Sequence, residues 1–278
     1  MTESLPDYRN LDVSGEAATA AERMEARAQA PASQAMFDAL VRPLLGDRIG
    51  AVLEVGCGTG SLARRIAASL PSARVCASDK SEVMLKVASH LTTGEGLSRI
   101  DLKPWDVTRE SEFPFGPGPF ALIISSVMTI YLSDQEVVDL VRRLAKRLNP
   151  GGILAFVEQD LMTDSADDSS GLFLKVQEKD RRVMKQTQGL GLRRVLRDAG
   201  LELLPLATHV WTDERYGPYT RELLERFADA AVSRGTLTSS EAATFKKMMI
   251  TQAESGDFYY GLVYHRIAGR VAPSQRRT

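Results

Sequence analysis

The chain has 278 residues, with 35 Lys and Arg against 36 Asp and Glu, a formal charge of -1. That length fits one large α/β domain with additions, and the balanced charge leaves no broad positive footprint for nucleic acid. No apolar run reaches the ~20 residues that a membrane helix requires, so no membrane association is expected.

The N-terminus has no basic segment followed by an apolar one, so no secretory signal is expected and the protein reads as cytoplasmic. Ser14 to Ala28 then places Ala17, Ala21, Met24 and Ala28 on one helical stripe, and Pro31 breaks the run. Ser33 restarts it, with Met36, Phe37, Leu40, Val41 and Leu44 at helical spacing. Ala51-Val-Leu-Glu-Val55 reads as a short buried strand that enters a turn carrying Gly56, Gly58 and Gly60. Ser61 opens a helix with Leu62, Ile66 and Leu70 on one face. Alternating glycines let the backbone turn sharply and approach a ligand too closely for any Cβ. The helix that follows points its positive N-terminal dipole at the same place.

Such a turn suits a nucleotide-like ligand, and its spacing narrows the choice. A phosphate loop needs Lys-Ser or Lys-Thr after its last glycine, but Ser61-Leu62 follows Gly60. A dinucleotide loop wants G-x-G-x-x-G, whereas the spacing here is G-x-G-x-G. The next strand, Val75-Cys-Ala-Ser78, ends on Asp79, whose carboxylate can accept both hydroxyls of a ribose. Ser81 looks like the N-cap of a further helix, with Met84 one turn in. Lys103-Pro-Trp-Asp-Val107 comes next. Phe120 to Val127 is a buried strand, a helix runs from about Ser133 to Arg147, and Leu148-Asn-Pro-Gly-Gly leads into another buried strand ending at Val157.

The second half is less regular. Asp164 to Ser170 reads as a polar loop, Leu172 to Met184 as a helix, and Leu190 to Ala199 as another, ended by Gly200. Leu201 to Trp211 reads as one strand. Tyr219 to Val232 and Ser240 to Glu254 are amphipathic helices, the second capped by Ser240. Phe258 to Ile267 reads as the closing strand. Cys57 and Cys76 are the only cysteines and read as small apolar fillers in a reduced compartment. His90, His209 and His265 match no metal-ligand spacing, so no metal is expected.

With the glycine motif Val52-Leu-Glu-Val-Gly-Cys-Gly-Thr-Gly60, Asp79, Asp106 and the Leu148 to Val157 turn and strand in this order, the chain resembles the class I S-adenosylmethionine-dependent methyltransferases. The resemblance covers roughly Ile49 to Asp160. It implies an α/β fold: a Rossmann-like seven-stranded sheet with a reversed last strand, helices on both faces, and helical lid and cap additions. Residues 1–46 become a lid and a sheet-covering helix, 47–160 the cofactor core, and 161–278 the rest of the sheet with a substrate-cap insertion at about 213–257. The implied cofactor is S-adenosyl-L-methionine, leaving as S-adenosyl-L-homocysteine. Its expected contacts are Glu54, Gly56, Cys57, Gly58 and Gly60 of the turn and Asp79, Lys80 and Met84 after the second strand. Asp106, where the family places an acidic side chain near the adenine amino group, extends the set with Trp105, Val107 and Ser125. Trp105 reads equally as an adenine stack or a plug of the sheet edge, and Met84 as contact or core.

In open α/β sheets, ligands bind beyond the carboxyl ends of the strands. That edge gathers Tyr8, Met24, Tyr131, Trp211, Tyr259 and Tyr260 as expected acceptor-pocket residues, and His209 and Glu158 as the two candidate bases. Tyr131 stands where related sequences often carry a histidine. The place after the fourth strand reads Ser125-Ser-Val-Met128, with neither the Asn/Asp-Pro-Pro-aromatic motif of adenine enzymes nor the Pro-Cys pair of cytosine-C5 enzymes. The expected acceptor is therefore a small, largely apolar metabolite, as in secondary-metabolite methyltransferases, with acceptor atom and oligomeric state left open. A cyclase or isomerase that uses the bound sulfonium for electrostatics, and a protein methyltransferase, are the alternatives; a helical cap argues against the open groove that the latter needs.

Overall fold

The computed structural model describes residues 8–46, 50–109, 112–116, 118–180 and 189–273. Its sheet is built from β1 (Ala51–Val55), β2 (Arg74–Asp79), β3 (Asp101–Pro104), β4 (Phe120–Ser126), β5 (Leu148–Ala166), β6 (Glu202–Leu203), β7 (Ala207–Asp213) and β8 (Tyr260–Arg270). The order is β3-β2-β1-β4-β5-β8-β6, with β7 also on β8. β1 to β5 pair in parallel, while β8 runs antiparallel to β5, β6 and β7. This is the Rossmann-like arrangement with a reversed last strand.

The expected strand from Leu201 to Trp211 is in fact two strands. Leu203 pairs with Gly269 and Ala207 with Arg266, so one extra residue enters the run between them. Pro205 lies in that gap, and a proline has no N–H for the ladder. β5 is longer than expected at the other end, because Ser165 and Ala166 still pair with Gly261 and Tyr260 after a break that starts at Asp160. The segment read as a polar loop from Asp164 therefore begins as strand.

Successive side chains of each strand point to opposite faces. One face carries Val52, Val75, Leu122, Ile124, Ala155, Val157 and Tyr264. The other carries Leu53, Cys76, Ile123, Leu154 and Phe156, covered by Val137, Leu140 and Leu144 of α6 (Asp134–Ala145) and by Leu192 and Leu196 of α8 (Leu192–Asp198). Gly200, at φ +83°, closes α8 by donating its N–H to Arg197 O at 2.9 Å. α6 starts on a reciprocal capping box between Ser133 and Glu136, which fixes its first turn.

The helices that cover the first face come from both ends of the chain. α1 (Leu11–Ser14) leads into α2 (Ala17–Gln29), and α3 (Pro31–Met36) follows. Pro31 opens α3 as its first residue, where its missing N–H costs nothing; Ser33 lies inside the helix, not at its start. The chain continues as a π-helical turn at Phe37–Val41. α4 (Ser61–Ser69) and α5 (Glu82–Gly94) flank β2. α7 (Leu172–Asp180) covers part of the expected helix to Met184, whose last residues lie outside the described set. α9 (Pro218–Ser233) and α10 (Ser239–Ser255) are inserted before β8. The cap of α10 is Thr238, boxed with Glu241, and not Ser240. α2 packs on α9 to one side and on α4 and α5 to the other, bridging the inserted helices and the glycine turn. No helix among the described residues is long and apolar enough to cross a membrane.

Candidate active site

A cavity of about 620 Å³ opens at the carboxyl ends of β1, β2, β4 and β5, under α2, α3 and α9. That volume lies inside the roughly 300–1,000 Å³ typical of ligand sites. Its floor at one end is the glycine turn. Gly56 (φ +72°) and Gly58 (φ +52°) take left-handed conformations that residues with a Cβ resist. A Cβ at Gly56 would meet Met128 Sδ at 2.5 Å, and one at Gly58 would meet Met24 Sδ at 2.7 Å. Cys57 lines the cavity beside them. Gly60 does not line it. A Cβ there would stand 3.3 Å from Ala88 Cβ, so the lack of a side chain lets α4 and α5 approach.

Three carboxylates face this end. Glu54 is buried, and its Oε2 has no hydrogen-bond partner among the described residues. Burial pushes its pKa up to about 8, with Asp79 adding to the shift and the Ala63 N–H and Arg64 opposing it. Asp79 accepts from Gly58 N at 2.8 Å and from Ser81 N at 2.9 Å. It thereby ties the glycine turn to α5, and burial raises its pKa. Asp106 accepts from Thr108 N at 2.9 Å and Thr108 Oγ1 at 2.6 Å. Partial burial works against its charge, but those bonds hold its carboxyl below the usual range. Lys80 donates to Arg9 O and lines the same end with Met84 and Val107. Met84 is both cavity lining and core, fully buried with Leu11, Ala20 and Ala21. Trp105 also does both. It lines the cavity, yet meets Phe113 edge-on at 5.4 Å and lies under Arg143 at 5.8 Å.

Several expected residues point elsewhere, and the alternation of strand faces explains three of them. Ser125 lies on the face opposite the cavity, and Ser126 lines it instead. Glu158 is likewise one residue out of phase: Val157 and Gln159 line the cavity, while Glu158 Oε1 accepts from Thr129 N at 3.2 Å. Burial raises its pKa to about 7. Its visible work is to hold the turn after β4, where Val127 sits at φ +53°, a strained value for a β-branched residue. Tyr259 is exposed, whereas Tyr260 lines the cavity.

His209 and Trp211 lie on β7, beyond β8, and neither lines the cavity. Burial lowers the His209 pKa, so it is neutral near pH 7. Trp211 is a support behind the wall: its Nε1 donates to Ser33 Oγ at 3.0 Å, and its ring meets Tyr219 edge-on at 5.4 Å. Tyr8 and Tyr131 do line the cavity, with ring centroids 4.9 Å apart, as does Met24.

The acceptor end also contains residues that sequence reasoning passes over. Arg23 and Arg27 reach it from α2, Tyr219, Leu223 and Phe227 from α9, Phe173 from α7, and Gln159 from β5. Two signals are available for them. Arg27 lies three residues after Met24, on the same side of the helix, and Gln159 shares parity with Val157.

Residues 52–152 match the family model described as a methyltransferase domain. A trans-aconitate 2-methyltransferase from Azoarcus sp. (strain BH72) is 27% identical over 191 residues, 69% of this chain and 64% of that one. A malonyl-[acyl-carrier protein] O-methyltransferase from Priestia megaterium is 30% identical over 108 residues, covering 38% of this chain and 35% of that one. The chain thus spans less than two thirds of the length of these relatives. Among solved structures, phosphoethanolamine N-methyltransferase 2 of Haemonchus contortus, in complex with S-adenosyl-L-methionine, superposes with TM-score 0.55 at 17% identity, over 97% of this chain and 61% of that one. The [4+2]-cyclase SpnF superposes with TM-score 0.50 at 19% identity, over 87% of this chain and 80% of that one. Over residues 52–152 the chain is thus similar to a methyltransferase domain, on a fold shared with these solved structures.

Proposed function

We propose that the cavity binds S-adenosylmethionine at its glycine-turn end and that the protein transfers a methyl group to a small acceptor at the other. The observation that carries this reading is the buried, unpartnered Oε2 of Glu54 beside a turn that only glycine fits. Burial keeps this carboxyl protonated up to about pH 8 in the empty site, and a cationic partner at the unbonded oxygen favours its ionised form. An amino-acid ammonium is such a partner, with Asp79 left for ribose hydroxyls and Asp106 for the adenine amino group. Bound there, the cofactor supplies a methyl group already made electrophilic by its sulfonium.

The remaining work falls to positioning. Aligning the nucleophile with the S–CH3 bond supplies most of the acceleration in such a displacement. Residues 8–46 act as lid and cover, with α2 as the moving part, and the 213–257 insertion closes the acceptor side to water. In this reading Glu158 and Trp211 shape the walls without touching the acceptor, and His209 takes no part. Names of the relatives agree with a small acid, free or on a carrier protein, as acceptor class, and a biosynthetic role in the cytoplasm fits that class.

Mass spectrometry of metabolites from cells with and without the gene tests the reading. A product heavier by one methyl group supports it. An isomer of unchanged mass supports the cyclase alternative, and a methylated protein the third.

A further inference from the structure

We propose that the acceptor is a carboxylic acid with an apolar body, and that Arg27 holds its carboxylate; the proposal rests on the methyltransferase reading. Arg27 is on α2, three residues beyond Met24, the residue whose sulfur sits over Gly58. At about 1.5 Å of rise per residue this places it roughly 4.5 Å along the helix axis from the glycine-turn contact. An acceptor held there lies between the lid and the cofactor end.

The ion pairs around the cavity leave this cation without a counter-ion. Arg9 pairs with Glu136 at 2.8 Å, Arg23 with Glu222 at 3.1 Å, and Arg109 approaches Asp106 at 3.8 Å. Arg65 directs its terminal nitrogens to Gln34 and to the Ala28 carbonyl. Lys80 lies at the cofactor end beside Asp79. Arg27 forms no ion pair with any carboxylate among the described residues, although it is half-buried and lines the cavity. A partly desolvated guanidinium without an anion is an unfavourable arrangement unless a ligand completes it.

Its neighbours are phenols, together with the buried Glu158, which feels its charge but bonds Thr129 N and makes no ion pair with it. Tyr8, Tyr131, Tyr219 and Tyr264 all lie within electrostatic reach of its charge. Burial raises the pKa of Tyr8 and Tyr131, and takes Tyr264 to about 12. They stay neutral near pH 7 and so cannot serve as the counter-ion, but their O–H groups can donate to one. Tyr264 is fixed by accepting from Gln159 Nε2 at 2.6 Å.

The guanidinium fork matches a planar carboxylate in two-point contact. One unmatched positive charge suits a monoanion better than a phosphate monoester, which carries nearly two negative charges. Beyond Arg27 the cavity is lined by Phe173, Leu223, Phe227 and Leu262, which suit an apolar body.

The test uses the full chain with S-adenosylhomocysteine present, and as probes hexanoate and decanoate against hexanamide and decanamide, by calorimetry. The expected result is that each acid binds at least about tenfold more tightly than its amide, the range for a charge-assisted contact. Arg27→Gln should erase the difference while leaving S-adenosylhomocysteine affinity unchanged and the protein folded. Arg27→Lys should keep part of it. Equal binding of acid and amide to the parent, no binding of either series, or an acid preference that survives in Arg27→Gln overturns the proposal. If the parent does not bind S-adenosylhomocysteine at all, the methyltransferase reading fails separately, and the acid preference is still measurable on the protein alone. Should Arg27→Gln fail to fold, Arg27→Met and Arg27→Lys provide the same comparison.

Discussion

The two ends of the cavity are built by different means. At the glycine-turn end Asp79 and Asp106 sit at or just past a strand end and are fixed by N–H groups close to them in the chain or in the turn. Asp79 is held by the N–H groups of Gly58 and Ser81, and Asp106 by Thr108. At the acceptor end the walls come from α2, α7, α9, β5 and β8, which meet only in the folded chain. A site held by local turns tolerates few substitutions and is written in contiguous motifs. A site assembled from distant elements depends on register and on strand faces, and a one-residue error moves a side chain out of it.

The contrast predicts the steepest losses at the first end. Gly58→Val places a β-branched side chain at φ +52° and against Met24. Binding of S-adenosylhomocysteine should fall by more than about 3 kcal/mol, with strain and blocked approach both contributing. Circular dichroism should still show a folded protein. Retained binding would mean that the turn does not meet the ligand.

Asp79→Ala should weaken the same ligand by about 2–4 kcal/mol, through two lost charge-assisted bonds and a loosened turn. Calorimetry on Asp79→Asn separates the two, because the amide keeps an acceptor for one of the N–H groups. An alanine variant that binds like the parent would sink the assignment of this end.

Glu54→Gln has opposite effects on binding and on stability. Its carboxyl pKa is raised from the ordinary 4.5 to about 8. Between those values the folded protein holds a proton that the unfolded chain releases, so stability falls as pH rises through that window. Glu54→Gln removes the titration. Without ligand, the variant should gain about 1–3 kcal/mol over the parent at pH 8 relative to pH 5, the scale of an unsatisfied buried polar group. It should also bind S-adenosylmethionine more weakly. Equal pH slopes for the two proteins in chemical denaturation would contradict the buried-carboxylate account.

How much is legible in the sequence follows the same division. The glycine turn, Asp79, Asp106 and the strand order of the first half can be read, because turn chemistry and short buried runs restrict residue choice locally. Sequence reading fails where the phase of a strand matters. It names Ser125 where Ser126 faces the cavity, Glu158 where Gln159 does, and both tyrosines at 259 and 260 where one faces it. Parity counted along each strand from a cavity-facing tip separates these pairs. Pro205 is visible as a strand breaker, and Thr238-Ser-Ser-Glu241 as a capping box. Arg27 carries only a weak signal, since a helical arginine is ordinarily solvated and nothing nearby in sequence says what faces it.

His209 gives the smallest expected effect. It lies on β7 outside the cavity, so His209→Gln should leave kcat/KM within about twofold, against a loss of roughly several hundredfold or more for a catalytic base. A large fall with unchanged Tm would return it to the reaction.

The most direct test of the central claim is calorimetric titration of the parent chain with S-adenosylhomocysteine and, separately, with NAD. Micromolar S-adenosylhomocysteine binding, about -8 kcal/mol, with no heat from NAD is the expected result. Micromolar NAD binding without S-adenosylhomocysteine binding would contradict it.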